Sequence, residues 1–176
     1  AYPTTERGKW VLTWPGQVVI CVSSLYWTQE AEAAMRDAGA AGLEEYLEVL
    51  NDQLQDIVQL VRGKLTKLER VTMGALCVVD VHARDVMEAC VKQGVSDPFD
   101  FNWMSQLRYY WEEKPDDYNR YGDDPFNMLP RIINATQMYG YEYLGNSSRL
   151  VITPLTDRCY RTLMGAVVLM YGGAPA

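Results

Sequence analysis

The sequence has one histidine, His82, and no Cys-x-x-Cys pair among its four cysteines, Cys21, Cys77, Cys90 and Cys159. A single histidine excludes a multi-histidine metal site, and the cysteine spacings match no zinc pattern. All four cysteines lie in apolar stretches, so they are expected to be reduced, buried and inert. Long hydrophobic runs are missing too. Runs such as residues 18–22 and 166–171 fall far short of the roughly 20 residues that span a bilayer, which argues against a membrane span. No leader pattern opens the chain, so no secretory signal is expected, and the sequons at Asn134 and Asn146 then mean little. The first residue is Ala1 rather than Met, which hints at an excised segment. Basic charge is scarce: 16 Lys and Arg stand against 23 Asp and Glu, for a net charge of −7. A nucleic-acid binder would need a basic face to neutralise phosphates, so that class is disfavoured. What the chain does have is apolar content, 48% over 176 residues, enough for a packed core in one domain or in one and a piece of another.

Charge is unevenly spread. Residues 112–130 carry 6 acidic and 2 basic groups, the densest acidity in the chain. Residues 131–176 form the one positive segment, and its four basic residues are all arginine: Arg131, Arg149, Arg158 and Arg161. Arginine favours bidentate contact with carboxylate or phosphate. On composition alone the four read as scattered ion pairs.

The periodicity is mainly helical. Residues 10–14, with Trp10 and Trp14, alternate like a short strand or packed arm. A helix is expected from Gln17 to about Arg36, with Val18, Cys21, Val22, Leu25 and Tyr26 on one face, broken by Gly39 and Gly42. Leu43, Leu47, Leu50, Leu54, Ile57 and Val61 form a heptad-like stripe. It fits a coiled-coil strand or a long bundle helix, and Val58 and Leu60 widen it toward the bundle. Gly63 and the Thr66-Lys67 step are read as its end. A second helix over residues 71–91 would bury Met73, Leu76, Cys77, Val79, Val86, Met87, Cys90 and Val91. Residues 99–107 read as a short aromatic helix, 108–111 as a strand, 112–130 as an acidic surface loop, and 131–136 as a second strand able to pair with the first. Residues 139–145 are hinge-like, and a helix is expected over about 155–171 after Pro154, closed by Gly172 and Gly173.

Little of this amounts to an enzyme site. Asp80, His82, Arg84 and Asp85 are crowded together, and His82 and Asp85 share a helix face. A metal or acid–base centre is imaginable there. The preferred reading is a histidine and an arginine held by carboxylates at a helix packing surface, since no second histidine, nucleophile or glycine loop accompanies them. The pairs Glu44-Glu45, Glu112-Glu113, Asp116-Asp117 and Asp123-Asp124 are adjacent and read as a solvated acidic face. No Gly-x-Ser-x-Gly, Gly-x-Gly-x-x-Gly or complete Gly-x-x-x-x-Gly-Lys-Ser/Thr motif occurs.

Residues 139–145, Tyr-Gly-Tyr-Glu-Tyr-Leu-Gly, and 150–160, Leu-Val-Ile-Thr-Pro-Leu-Thr-Asp-Arg-Cys-Tyr, together resemble the dynein heavy chain at the start of its first AAA+ module. Upstream, Trp14-Pro15-Gly16-Gln17, residues 79–85 and residues 106–111 resemble that family's linker, in the same order. Residues 23–30, Ser-Ser-Leu-Tyr-Trp-Thr-Gln-Glu, look closer to axonemal than to cytoplasmic members. The resemblance implies a mainly α fold: a helical-bundle linker segment with a short β-hairpin, then the opening strand or loop and first helix of an AAA+ α/β module. It implies residues 1–130 as the C-terminal part of the linker, 131–140 as the connection to the ring, and 141–176 as the truncated start of the module. It further implies an ATP-driven, microtubule minus-end-directed motor of cilia and flagella, located in the cytoplasm, cytoskeleton and axoneme. Its partners would be the rest of the AAA+ ring, other dynein subunits and the microtubule, with no nucleic acid and no membrane.

The cofactor implied for the parent protein is ATP or ADP with magnesium. The segment beside its adenine would be Leu150, Val151, Ile152, Thr153, Pro154, Leu155 and Thr156. An extended apolar stretch can cover a base, and a helix beginning near Leu155 would offer free backbone donors. Core packing would account for the same residues. The family continues after Gly-Gly-x-Pro-x with a phosphate loop, whereas this sequence ends at Gly172-Gly173-Ala174-Pro175-Ala176. The chain alone is therefore expected neither to hydrolyse ATP nor to take a cofactor. The alternative is a non-catalytic helical scaffold that shares the linker architecture.

Overall fold

The computed structural model describes residues 1–114, 124–143 and 151–174. After a 3₁₀ turn at Tyr2–Thr4 come helices α1 (Arg7–Thr13), α2 (Gly16–Arg62), α3 (Lys67–Lys92) and α4 (Phe101–Met104). Strands β1 (Arg108–Glu113), β2 (Phe126–Ile132) and β3 (Ala135–Thr136) follow, and then helix α5 (Pro154–Val168). The fold is mainly α with one small antiparallel sheet of order β1-β2-β3, as expected for the class.

Helix α2 is two arms folded back on each other. Gly39 adopts φ 60° and ψ −132°, a conformation closed to most side chains, and reverses the chain there. Gly42 lies so close to the end of the first arm that an added Cβ would stand 2.2 Å from the Ala34 carbonyl oxygen. The fold-back brings Tyr46 Oη within 3.0 Å of Glu30 Oε2, to which it donates. Sixteen residues of continuous helix would instead hold them about 24 Å apart. The Gly39 break was legible in the sequence; the direct return was not.

Helix α3 packs along both arms and closes a three-helix stack with two cores. At one end Ala31, Met35, Leu43, Leu50, Val86, Met87 and Trp103 cluster; at the other Trp10, Val11, Val19, Ile57, Met73 and Leu76 do. The heptad stripe from Leu43 to Val61 is thus used inside the chain's own stack. On the first arm Val18, Cys21, Val22, Leu25 and Tyr26 do share one face, which lines an open aromatic groove. Cys21 is buried there, and Val19, Ile20, Ser23, Thr28, Ala31 and Met35 are further buried positions of the arm. Residues 10–14 are corrected: Trp10 and Val11 belong to α1, a helix whose burial against Ile57 and Met73 outweighs its strand-like alternation. Thr66 does not end a helix. It caps the next one, accepting from Glu69 N–H while the Glu69 carboxylate accepts from Thr66 N–H.

The hairpin forms where expected but with a shifted second strand. β1 pairs with β2 from Arg108↔Arg131 to Glu113↔Phe126. Glu112, Glu113 and residues 126–130 are therefore strand, not loop. Pro130 is tolerated opposite Tyr109, which sends its own N–H to Thr28 Oγ1 at 3.0 Å on α2 rather than to β2. A two-residue turn with φ 56° at Ile133 then starts β3. The pairs Asp116-Asp117 and Asp123 lie outside the described residues.

A buried carboxylate ties sheet to stack. Glu32, 6% exposed, accepts from Trp103 Nε1, Tyr110 Oη and Arg36 Nη2. Charged acceptors give the stronger hydrogen bonds, and three of them offset the burial of this charge. Cys21 and Cys90 are buried, with thiols pushed up to about 11 by burial. Cys77 and Cys159 are half-buried, so burial falls short of the expectation for these two, and all four are free thiols.

Candidate nucleotide-side segment

Helix α5 starts with its own cap. Thr153 Oγ1 accepts from Thr156 N–H, and Thr156 Oγ1 accepts from Thr153 N–H at 2.8 Å. Pro154 has no N–H, and Asp157 N–H goes to the Thr153 carbonyl at 3.0 Å. Leu155 is then the first-turn residue whose N–H the cap leaves unengaged. This corrects the expectation of several free donors. Asp157 also adds a negative charge to the first turn, where it favours the helix and opposes an anion. The first turn suits an apolar or neutral group better than a phosphate.

Ile152, Thr153 and Pro154 line a cleft of about 500 Å³ between α5, α3 and the α4 region. Val151 and Leu155 stand 71% and 70% exposed beside it. Thr156 is turned back into the cap, and Leu150 lies outside the described residues. Across the cleft stand His82, Asp85 and Gln106, and from α5 come Arg158 and Arg161. The sequence reads these two arginines as members of scattered ion pairs. Neither makes an ion pair among the described residues, and their three-residue spacing puts both on the cleft side of α5. Arg131 does pair, with Glu112 across the hairpin; Arg149 lies outside the described residues.

The crowded Asp80–Asp85 segment does not converge. Asp80 takes both its hydrogen bonds from Arg7 Nη2, at 2.9 Å each, and Asp85 pairs with Arg84 at 2.7 Å. His82 Nε2 instead faces Asp157 Oδ1 of α5 at 3.6 Å. Burial holds the His82 pKa below its ordinary value, against the opposing pull of Asp157 and Asp85. Burial raises Asp80, against the pull of Arg7. These are packing contacts that fasten α1 and α5 to α3, as the preferred reading of the segment had it.

The mouse protein named dynein axonemal heavy chain 12 is 54% identical over 175 residues, covering 99% of this chain and 5% of its own. Human dynein axonemal heavy chain 3 is 55% identical over 175 residues, covering 99% of this chain and 4% of its own. Over its whole length, the chain is homologous to a segment of axonemal dynein heavy chains. Mouse dynein axonemal heavy chain 1 matches all of it at 50% identity. Residues 139–176 also match the family described as the hydrolytic ATP binding site of dynein motor region. That match takes in the whole of α5 and the Val151–Thr156 segment, so the dynein resemblance read from the sequence is borne out. The chain spans about one twentieth of the length of these dynein relatives. No described helix is long and apolar enough to cross a membrane.

Proposed function

We propose that this chain is the C-terminal part of a dynein linker running through residues 131–140 into the first AAA+ module, with Leu150–Thr156 as the adenine-side edge of that module's nucleotide site. The observation that carries this reading is the state of α5. It is amphipathic and capped, yet buries none of its residues. Val167, Val168, Leu169 and Tyr171 remain exposed at its far end. An apolar face of this kind awaits the remainder of a module. The match of residues 139–176 to a dynein ATP-binding family supports the same assignment.

In that setting the Val151, Ile152, Pro154 and Leu155 side chains would cover the base. Bound ATP, with magnesium, would supply the phosphoryl group whose hydrolysis drives the motor. The capped first turn and the Asp157 charge would disfavour the phosphates at this end of α5. The helix stack of α2 and α3 would act as the lever end and the sheet as its joint. The parent would be an axonemal, minus-end-directed microtubule motor, working with the rest of the AAA+ ring and other dynein subunits. The stripe that favours a free-standing scaffold is consumed within the stack, which leaves that alternative without its exposed seam.

The test is a double substitution, Thr153→Ala with Pro154→Ala, in a full heavy chain carrying this segment. Nucleotide affinity is expected to fall about tenfold, about 1.4 kcal/mol, with the melting temperature little changed. Unchanged affinity with a lowered melting temperature would assign these residues to packing alone. The 176-residue chain by itself should show no saturable ATP binding by calorimetry.

A further inference from the structure

A cavity of about 100 Å³ lies where α1, both arms of α2, α3 and the start of α5 meet. Three buried polar atoms of residues in its wall, Arg7 Nη1, Ser23 Oγ and Trp27 Nε1, have no hydrogen-bond partner among the described residues. Ser23 is 6% exposed, so bulk solvent does not serve it. A bare buried donor is costly, and native proteins rarely leave three around one cavity.

The donor set fixes the chemistry of the occupant. The guanidinium and indole nitrogens only donate, while the serine hydroxyl donates or accepts. The occupant must therefore accept from two of the three. An anion would accept, but Glu30, Asp80 and Asp157 share the same wall, and Arg7 is already paired with Asp80. A cation would suit the carboxylates but not the two N–H donors of Arg7 and Trp27. No group of three or more His, Cys, Asp or Glu among the described residues is placed to hold a metal. A neutral molecule with both donor and acceptor capacity satisfies every wall. At roughly 30 Å³ per molecule in the liquid, the cavity has room for about three waters.

We propose that this cavity is an internal hydration site, with ordered waters accepting from Arg7 Nη1 and Trp27 Nε1 and hydrogen-bonded to Ser23 Oγ. Ile152 and Asp157 help close it, so the start of α5 rests on a wetted polar seam rather than on a dry apolar contact. The proposal stands on the cavity and its orphaned atoms, and the nucleotide reading can fail without affecting it.

A crystal structure of the full 176-residue chain, at a resolution that shows ordered solvent, tests it. The expected result is water density within about 3.2 Å of each of the three atoms. A collapsed dry cavity would overturn the proposal, as would an ion or a side chain in place of water. In solution, magnetisation is expected to pass from a long-lived water to the Trp27 indole proton, whose signal Trp27→Phe assigns by removing it. An assigned indole proton with no such transfer would overturn the proposal as well.

Discussion

Helices α3 and α5 separate apolar from polar residues to a similar degree, yet α3 buries eight residues and α5 none. Both open on a Thr capping box. Local sequence has done the same work in each: it has set the helix, its start and its face. The difference is what lies opposite. Along α3 the two arms of α2 cover Met73, Leu76, Met87 and Cys90. Along α5 the main contacts among the described residues are with β2, β3 and the His82 side of α3, and the apolar residues past Met164 are left open. A pattern says that a face exists; it does not say whether the partner is in the same stretch of chain.

The comparison breaks most sharply in the core. Leu76→Ala removes a fully buried side chain from α3 and should cost about 2–5 kcal/mol in urea unfolding. Val167→Ala on α5, where the side chain is 53% exposed, should change stability by under about 0.5 kcal/mol. Equal costs would show that α5 has a core this structure does not give it. Next in size is the carboxylate hub. Glu32→Ala leaves Trp103 Nε1 and Tyr110 Oη without an acceptor and should cost about 3 kcal/mol by the same measurement.

Removing the two caps sharpens the contrast at smaller scale. Thr66→Ala is expected to lower global stability by about 1 kcal/mol, since α3 unfolds with the core. Thr153→Ala should leave the global transition nearly unmoved and raise amide exchange within α5, because that helix opens locally. The smallest effect is the pH response of the α3–α5 contact. His82 is held below its ordinary pKa by burial, so the unfolded chain binds the proton more readily than the folded one. Its contribution is present above about pH 6.5 and is lost as pH falls below that value through the lowered folded pKa. Burial raises Glu30 and Asp80, which act in the opposite sense in the lower carboxylate range. His82→Gln should flatten the slope just below neutrality and leave the acid limb in place.

The same contrast explains what the sequence made legible. The 43–61 stripe, the Gly39 break, the hairpin and the Pro154 helix start are local signals, and each corresponds to an element. The shared face of Val18, Cys21, Val22, Leu25 and Tyr26 on the first α2 arm is legible as well, but the arm has apolar residues on more than one side, and only the Gly39 return decides which of them meet α3. Residues 10–14 alternate like a strand, and the pull of Ile57 and Met73 on Trp10 and Val11 is a tertiary effect that the local pattern lacks. Thr66-x-x-Glu69 is a capping-box pattern, which marks a helix start, so the Thr66-Lys67 step opens α3 rather than closing α2. At the candidate site, Ile152, Thr153 and Pro154 are singled out by the family motif, and they line one cleft. Arg158 and Arg161 were missed as a pair because their common direction depends on how α5 docks.

Amide hydrogen exchange read over residues 154–168 and 67–92 most directly tests whether α5 is a face awaiting its module. It should be measured on this chain and on a longer heavy chain that contains it. In the short chain α3 should be strongly protected and α5 should exchange quickly. In the long chain α3 should be unchanged and α5 should gain protection comparable to it. Strong α5 protection in the short chain, or no gain in the long one, would contradict the assignment.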